Sequence, residues 1–175
     1  MYIKPINDLN SISESMIEKE WDNIAEVRDQ IIQSRKDISL LDVTEPFIME
    51  SIGTLYSSKS VHVLDCGCGT GHLSHLICKK LNKKVTAIDI SGKSINLAKK
   101  NYEYSNNNLN FIKASICDYE KHNKQHDICV ANMVLMDVLD LEKEFKFNKQ
   151  YNYFWRIFLL YYNTSLVLAR ILELQ

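Results

Sequence analysis

The stretch Val61-His62-Val63-Leu64-Asp65-Cys66-Gly67-Cys68-Gly69-Thr70-Gly71 constrains this chain more than any other. Val61, Val63 and Leu64 form a short apolar run with β-branched residues, ending in Asp65 and then in three glycines spaced two apart. Such a run reads as a buried strand entering a loop almost free of side chains. Beyond it, Leu73, Leu76, Ile77 and Leu81 recur at helical spacing, with Lys79 and Lys80 in the last turn. Strand, glycine loop and helix in that order make a ligand cradle, because glycine adopts positive φ and lets a ligand approach bare backbone.

The neighbours of the loop narrow the ligand. A dinucleotide loop follows Gly-x-Gly-x-x-Gly with pyrophosphate at the helix N-terminus; here the third glycine comes one residue early and His72 takes its place. Asp65 would also repel a diphosphate. Unit charges ~4 Å apart interact by about 4 kcal/mol at an effective dielectric of about 20, so this carboxylate favours a cationic ligand. A second β-rich run, Lys84 to Ile90, carries Asp89 at its end, 18 residues after Gly71. That separation suits an acid that accepts hydrogen bonds from both hydroxyls of a ribose.

Together these residues resemble the class I S-adenosylmethionine-dependent methyltransferases, whose first motif reads Asp-x-Gly-x-Gly-x-Gly and whose second strand ends in the ribose acid. The resemblance covers about residues 16–145. It implies a Rossmann-like doubly wound α/β fold, with a mainly parallel sheet and helices on both faces. It further implies S-adenosyl-L-methionine as cofactor and methyl transfer to a small or unidentified acceptor. The implied cofactor site comprises Asp65, Gly67, Cys68, Gly69, Gly71, Asp89, Ile90, Ser115, Ile116 and Asn132. Asp65 and the backbone of Gly67 to Gly71 would hold the methionine end, Asp89 the ribose, and Ser115 with the backbone of Ile116 the adenine. Asn132 would face the methyl group and the substrate. Two positions depart from the family. Ser115 stands where an aspartate is common, and equally reads as a residue that merely ends a strand. Asn132-Met133-Val134-Leu135 differs from the Asn-Pro-Pro-Tyr of the nucleobase-modifying branches, which argues against a base as acceptor. Met136 stands where some relatives have histidine, so no catalytic residue is assigned, and Met133 and Met136 read as core fillers.

Other readings compete with this one. A non-catalytic or truncated S-adenosylmethionine-binding remnant would keep the first motifs and lack the substrate half. An NAD-dependent oxidoreductase shares the fold but needs the later glycine. Cys66-x-Cys68 with His72 and His75 lacks the Cys-x-x-Cys spacing that zinc sites favour, so no metal is expected.

Composition fits one soluble globular domain, with 46% hydrophobic and 25% charged residues over 175. With a net charge of -1 and no long basic run, nucleic acid is not indicated, and a small-molecule substrate fits better. Five cysteines form no regular disulfide framework. The first residues do not read as a signal peptide, and the apolar run Ile157 to Ala169 is 13 residues long and interrupted by Asn163, Thr164 and Ser165. No membrane span and a cytoplasmic location are therefore expected.

The chain divides into N-terminal helices over 1–58, a cofactor-binding core over 59–147 and an aromatic tail over 148–175. A helix is expected over 11–36, with Ile17, Trp21, Ile24, Val27 and Ile31 on one face and Ser15 with Glu18 as a capping box. The family resemblance makes its Trp21–Glu26 segment a lid over the cofactor, with Arg28 either facing the cofactor carboxylate or solvated. A second helix starts near Thr44, with Pro46 in its first turn and Phe47, Ile48, Ile52 and Leu55 inward. Ser91 caps a third helix bearing Ile95, Ala98 and Tyr102. Strands are expected near 61–65, 85–89, 109–113 and 127–132, and a further helix beginning with Leu141 and Phe145. No glycine follows Gly92 and no proline follows Pro46, so the glycine-containing turn into a fifth family strand is missing. The resemblance is accordingly expected to stop near Phe145, as after a frameshift or natural truncation, with weak cofactor binding and little turnover. Residues 151–175 are left to form a helix or strand over the sheet edge.

Overall fold

Five β-rich runs pair into one sheet in which every neighbouring pair is parallel. The computed structural model describes residues 12–56, 60–102, 107–120, 126–139 and 156–160. The strands are β1 (His62–Cys66), β2 (Lys84–Asp89), β3 (Leu109–Lys113), β4 (Ile128–Asn132) and β5 (Arg156–Leu160), in the order β3-β2-β1-β4-β5. The four strands expected from sequence are neighbours in register, with Val63 opposite Val85 on one side and opposite Ile128 on the other. The strand order reverses between β1 and β4, which opens a crevice outside the carboxyl ends of those strands.

The helices are α1 (Glu14–Gln33), α2 (Glu45–Leu55), α3 (His72–Leu81), α4 (Gly92–Tyr102) and α5 (Ile116–Glu120). Alternate strand residues face two cores, as the period of two requires. Val63, Val85, Ala87, Ile128 and Val130 pack with Ile48 and Ile52 of α2, Ile77 of α3 and Ile95 and Ala98 of α4. Leu64, Ile88, Cys129 and Ala131 turn the other way and meet Tyr119 of α5. Burying an aliphatic side chain of this size is worth ~1.5–3 kcal/mol, so the two-sided sheet is the main source of cohesion.

Several local details differ from the sequence expectations. The cap of α1 is Ser13, whose hydroxyl accepts the Met16 N–H at 3.4 Å, rather than Ser15. Glu18 does not complete a capping box; its carboxylate pairs with Lys113 of β3 at 2.5 Å. A six-residue π-helical turn, Ser39–Thr44, feeds directly into α2. On α1 the fully buried residues are Ala25 and Ile32, whereas Ile24 and Val27 are 41% and 56% exposed. Ile24 borders an open cavity instead of a packed core, which explains its exposure, whereas Val27 does not line that cavity.

Beyond Phe145 the sheet continues. All five residues of β5 pair with β4, from Ile128 opposite Arg156 to Asn132 opposite Leu160. Pairing of this kind needs only a β-competent run with free backbone groups, which Arg156–Leu160 supplies without glycine or proline. This strand covers the sheet edge, as expected for the tail. The connection over 140–155, including the expected helix at Leu141 and Phe145, lies outside the described residues. Among the described residues no helix is long and apolar enough to cross a membrane.

Gly71 sets the tightest packing constraint. Its φ is +85°, and a Cβ there would lie 2.7 Å from the Phe111 ring and 2.9 Å from the Ala98 Cβ. Gly53, within α2, has only Leu81 at 3.7 Å. Gly71→Ala is expected to cost about 3 kcal/mol from left-handed strain plus overpacking, while Gly53→Ala gains up to about 1 kcal/mol from helix propensity. Urea unfolding of the two variants measures both, and shifts of the same sign and size would contradict this packing.

Candidate functional site

The glycine loop is folded back onto the end of β2. Gly67 and Cys68 donate their N–H groups to the Ile88 carbonyl at 2.8 and 2.9 Å, and Gly69 donates to Oδ2 of Asp89 at 2.8 Å. The other oxygen of Asp89 accepts the Ser91 N–H at 2.8 Å. One carboxylate therefore fixes the loop after β1 and the start of the segment leading to α4. Val134, just after β4, lies so close over Gly67 that a Cβ there would approach it to 2.4 Å.

Asp65 lies beneath this loop, 2% exposed, and accepts the Ser74 hydroxyl at 2.5 Å. Burial pushes its carboxyl up to about 7, against the opposing pull of Ser74 and with the help of the nearby Asp89 charge. Asp89 is raised by burial too, although the N–H groups of Ser91 and Gly69 act against that rise. Two acids that each resist ionisation favour a positively charged partner. Burial, followed by the Asp65 and Asp89 charges, raises the Cys68 thiol well above its ordinary value. A thiol held protonated is a poor metal ligand.

These groups open on a cavity of about 500 Å³, which also reaches α1 and the turn after β4. Of the ten residues predicted from sequence, nine line it; Gly71 does not, and acts instead in the packing of α3 against Phe111 and Ala98. Ser115 reaches the wall, but its Oγ accepts the Asp118 N–H at 3.1 Å and so caps α5. Its own hydroxyl proton is left for a ligand. Asn132 presents a buried Oδ1 that has no hydrogen-bond partner among the described residues. Arg28 borders the cavity with its guanidinium paired to Asp37 at 2.9 Å, an alternative that the sequence reading did not include.

The cavity also contains residues that the sequence reading left out or placed in the core. Met133 and Met136 are 40% and 48% exposed and line it, rather than filling the interior. Met133 has a φ of +56°, an uncommon value for a side chain of its kind, and this turns the chain sharply at the end of β4. Asp137 follows in a short 3-10 turn, Leu135–Asp137, with its carboxylate near the Trp21 indole. Neither residue has a spacing signal; only the approach of α1 to β4 brings them together. α1 is held in that position by Asp22, which accepts the Ser91 hydroxyl at 2.6 Å and the Lys93 N–H at 3.0 Å.

Comparison with known proteins gives a consistent picture. A family model described as a methyltransferase domain matches residues 57–162, beyond the position near Phe145 where the resemblance was expected to stop. The chain is 32% identical over 149 residues to the ribosomal protein L11 methyltransferase of Dictyoglomus turgidum, covering 83% of this chain and 48% of that protein. It is 27% identical over 122 residues to the malonyl-[acyl-carrier protein] O-methyltransferase of Priestia megaterium, covering 69% and 41%. The chain thus spans about half the length of the curated relatives it matches. Among solved structures, magnesium protoporphyrin IX methyltransferase from Synechocystis PCC 6803 with bound SAM superposes with a TM-score of 0.59 at 18% identity, covering 78% of this chain and 67% of that one. A plantazolicin methyltransferase in complex with a triazolic desmethylPZN analog and SAH gives 0.58 at 20%, covering 79% and 53%. These two likenesses establish the fold.

The buried Asp65 makes stability depend on pH in a defined direction. A carboxyl raised from 3.8 to about 7 on folding contributes fully below 3.8, and that contribution is lost as pH rises through about 7. At ~1.4 kcal/mol per pH unit between the two values, the loss is on the order of 4 kcal/mol. Asp65→Asn keeps an acceptor for Ser74 and removes the charge, so urea unfolding between about pH 4 and about pH 8 is expected to show the variant gaining on the wild type by this amount. Equal pH slopes in the two proteins would contradict the buried charge.

Proposed function

The chain belongs to the methyltransferase-domain family, and from that premise we propose that it binds S-adenosylmethionine at the crevice between β1 and β4 and transfers its methyl group to a small or still unidentified acceptor. The observation that carries this reading is that Asp65, Asp89 and the backbone of the glycine loop all open on one cavity. The residues suit the cofactor. Asp65 and the loop complement an ammonium group. Each Asp89 oxygen accepts one backbone N–H and keeps a lone pair for a ribose hydroxyl. The unpartnered Asn132 Oδ1 lies at the end of β4, where an acceptor would approach. When bound, the cofactor supplies a methyl group already activated by its sulfonium. The protein's task is then largely to position the acceptor and exclude water. α1 forms the wall that does this, through Ile17 and Trp21.

Calorimetric titration with S-adenosylhomocysteine tests the assignment. Asp89→Ala is expected to weaken binding by one to two powers of ten, equivalent to ~1.5–3 kcal/mol for a charge-assisted bond. Asp89→Asn, which can still accept the Gly69 N–H, should lose less. Wild-type affinity in the alanine variant would remove Asp89 from the site.

A further inference from the structure

We infer that the methyl acceptor is an apolar amine, held by Asp137, and not a carboxylate. The inference rests on the methyl-transfer reading above and adds to it the class of substrate. The cavity wall carries five carboxylates, on Glu14, Asp37, Asp65, Asp89 and Asp137, against the single guanidinium of Arg28. Asp65 and Asp89 belong to the glycine-loop side, and Asp37 is neutralised by Arg28 at 2.9 Å. The histidine at the wall, His72, is already paired with Glu45 at 3.0 Å. The charges that remain are Glu14 and Asp137, and among the described residues neither forms an ion pair.

Asp137 lines the cavity and follows Asn132, at the carboxyl end of β4, by five residues. The neutral Trp21 indole beside its carboxylate leaves the charge uncompensated, and burial raises its pKa although that indole acts against the rise. The second polar group there, the Asn132 Oδ1, is an acceptor with no donor among the described residues. A ligand that satisfies both must bring donor hydrogens, and a protonated amine also answers the charge. Before transfer the ammonium gives one proton to the Asp137 carboxylate, and the freed nitrogen lone pair then forms the N–CH3 bond as the methyl–sulfur bond breaks, leaving S-adenosylhomocysteine and a methylated ammonium. Around them the mouth is hydrocarbon: Met133, Met136 and Leu139 are 40%, 48% and 50% exposed. Donors at one end and an apolar body at the other describe an amine. A carboxylate would face like charge with no free cation to receive it among the described residues.

Two probes with matched apolar bodies, 2-phenylethylamine and 3-phenylpropionate, separate the alternatives when titrated calorimetrically into the full chain saturated with S-adenosylhomocysteine. The amine is expected to bind at least tenfold more tightly. Asp137→Asn should remove most of that preference by weakening the amine and leaving the carboxylate little changed. Equal affinities, tighter binding of the carboxylate, no binding of either probe, or a preference untouched by Asp137→Asn would each overturn the inference. The wild-type ratio decides the question even if the variant fails to fold. Titration with S-adenosylhomocysteine comes first: its failure to bind the wild type overturns the methyl-transfer reading, whereas its binding without an amine preference overturns this inference alone.

Discussion

Asp89 is the interaction on which the site depends. One oxygen holds the Gly69 N–H and the other holds the Ser91 N–H, so a single side chain joins the glycine loop to the entry of α4. From Ser91 the connection passes through its hydroxyl to Asp22 and hence to α1. Glycine loop, helix cap and cavity wall are thus linked through three side chains. Bonds to a charged acceptor are worth more than neutral ones, ~1.5–3 kcal/mol each, so the brace is strong enough to define the loop before any ligand arrives. A loop shaped in advance loses less freedom on binding, which is how positioning becomes affinity.

The same acids make the site unfavourable without a cationic partner. Asp65 is buried with Ser74 as its one direct partner among the described residues, and Asp89 lies close enough to raise it further. A core selected for stability alone would place an apolar residue there, as β1 does at Val63 and Leu64 on either side of the sheet. Keeping a carboxylate at the end of that strand makes sense when a cation completes the site. The left-handed Met133 is a second local cost at the same end of the sheet, and it aims the turn after β4 toward the cavity.

Much of this was legible in the residues, for reasons that also explain the rest. The strands showed because a sheet buried on both faces needs apolar runs such as Val63–Leu64 and Ile128–Ala131, and the glycines showed because Gly67 and Gly71 leave no room for a Cβ. Ser91 was recognisable as a cap because capping is a local contact. Ser13 and Ser15 are both credible caps at the same helix start, and only geometry chooses Ser13. Ser115 had two readings, and the cap of α5 uses its oxygen while leaving it at the cavity wall. Asp22, Arg28 and Asp137 act through partners that are distant in sequence or on another element, namely Ser91, Asp37 and Trp21, and no periodicity encodes such pairs. The fifth strand was hidden because its approach lacks the glycine turn by which such strands are usually found.

The central claim is that the glycine loop, the two strand-end acids and the turn after β4 form one cofactor site. Heteronuclear NMR of the labelled chain titrated with S-adenosylhomocysteine tests it most directly. The account predicts saturable shifts concentrated at the amides of Gly67, Gly69, Asp89, Ile90 and Ile116 and at the Asn132 side chain. Shifts that spare the Gly67–Gly69 and Asp89 amides, or the absence of any saturable shift, would contradict it.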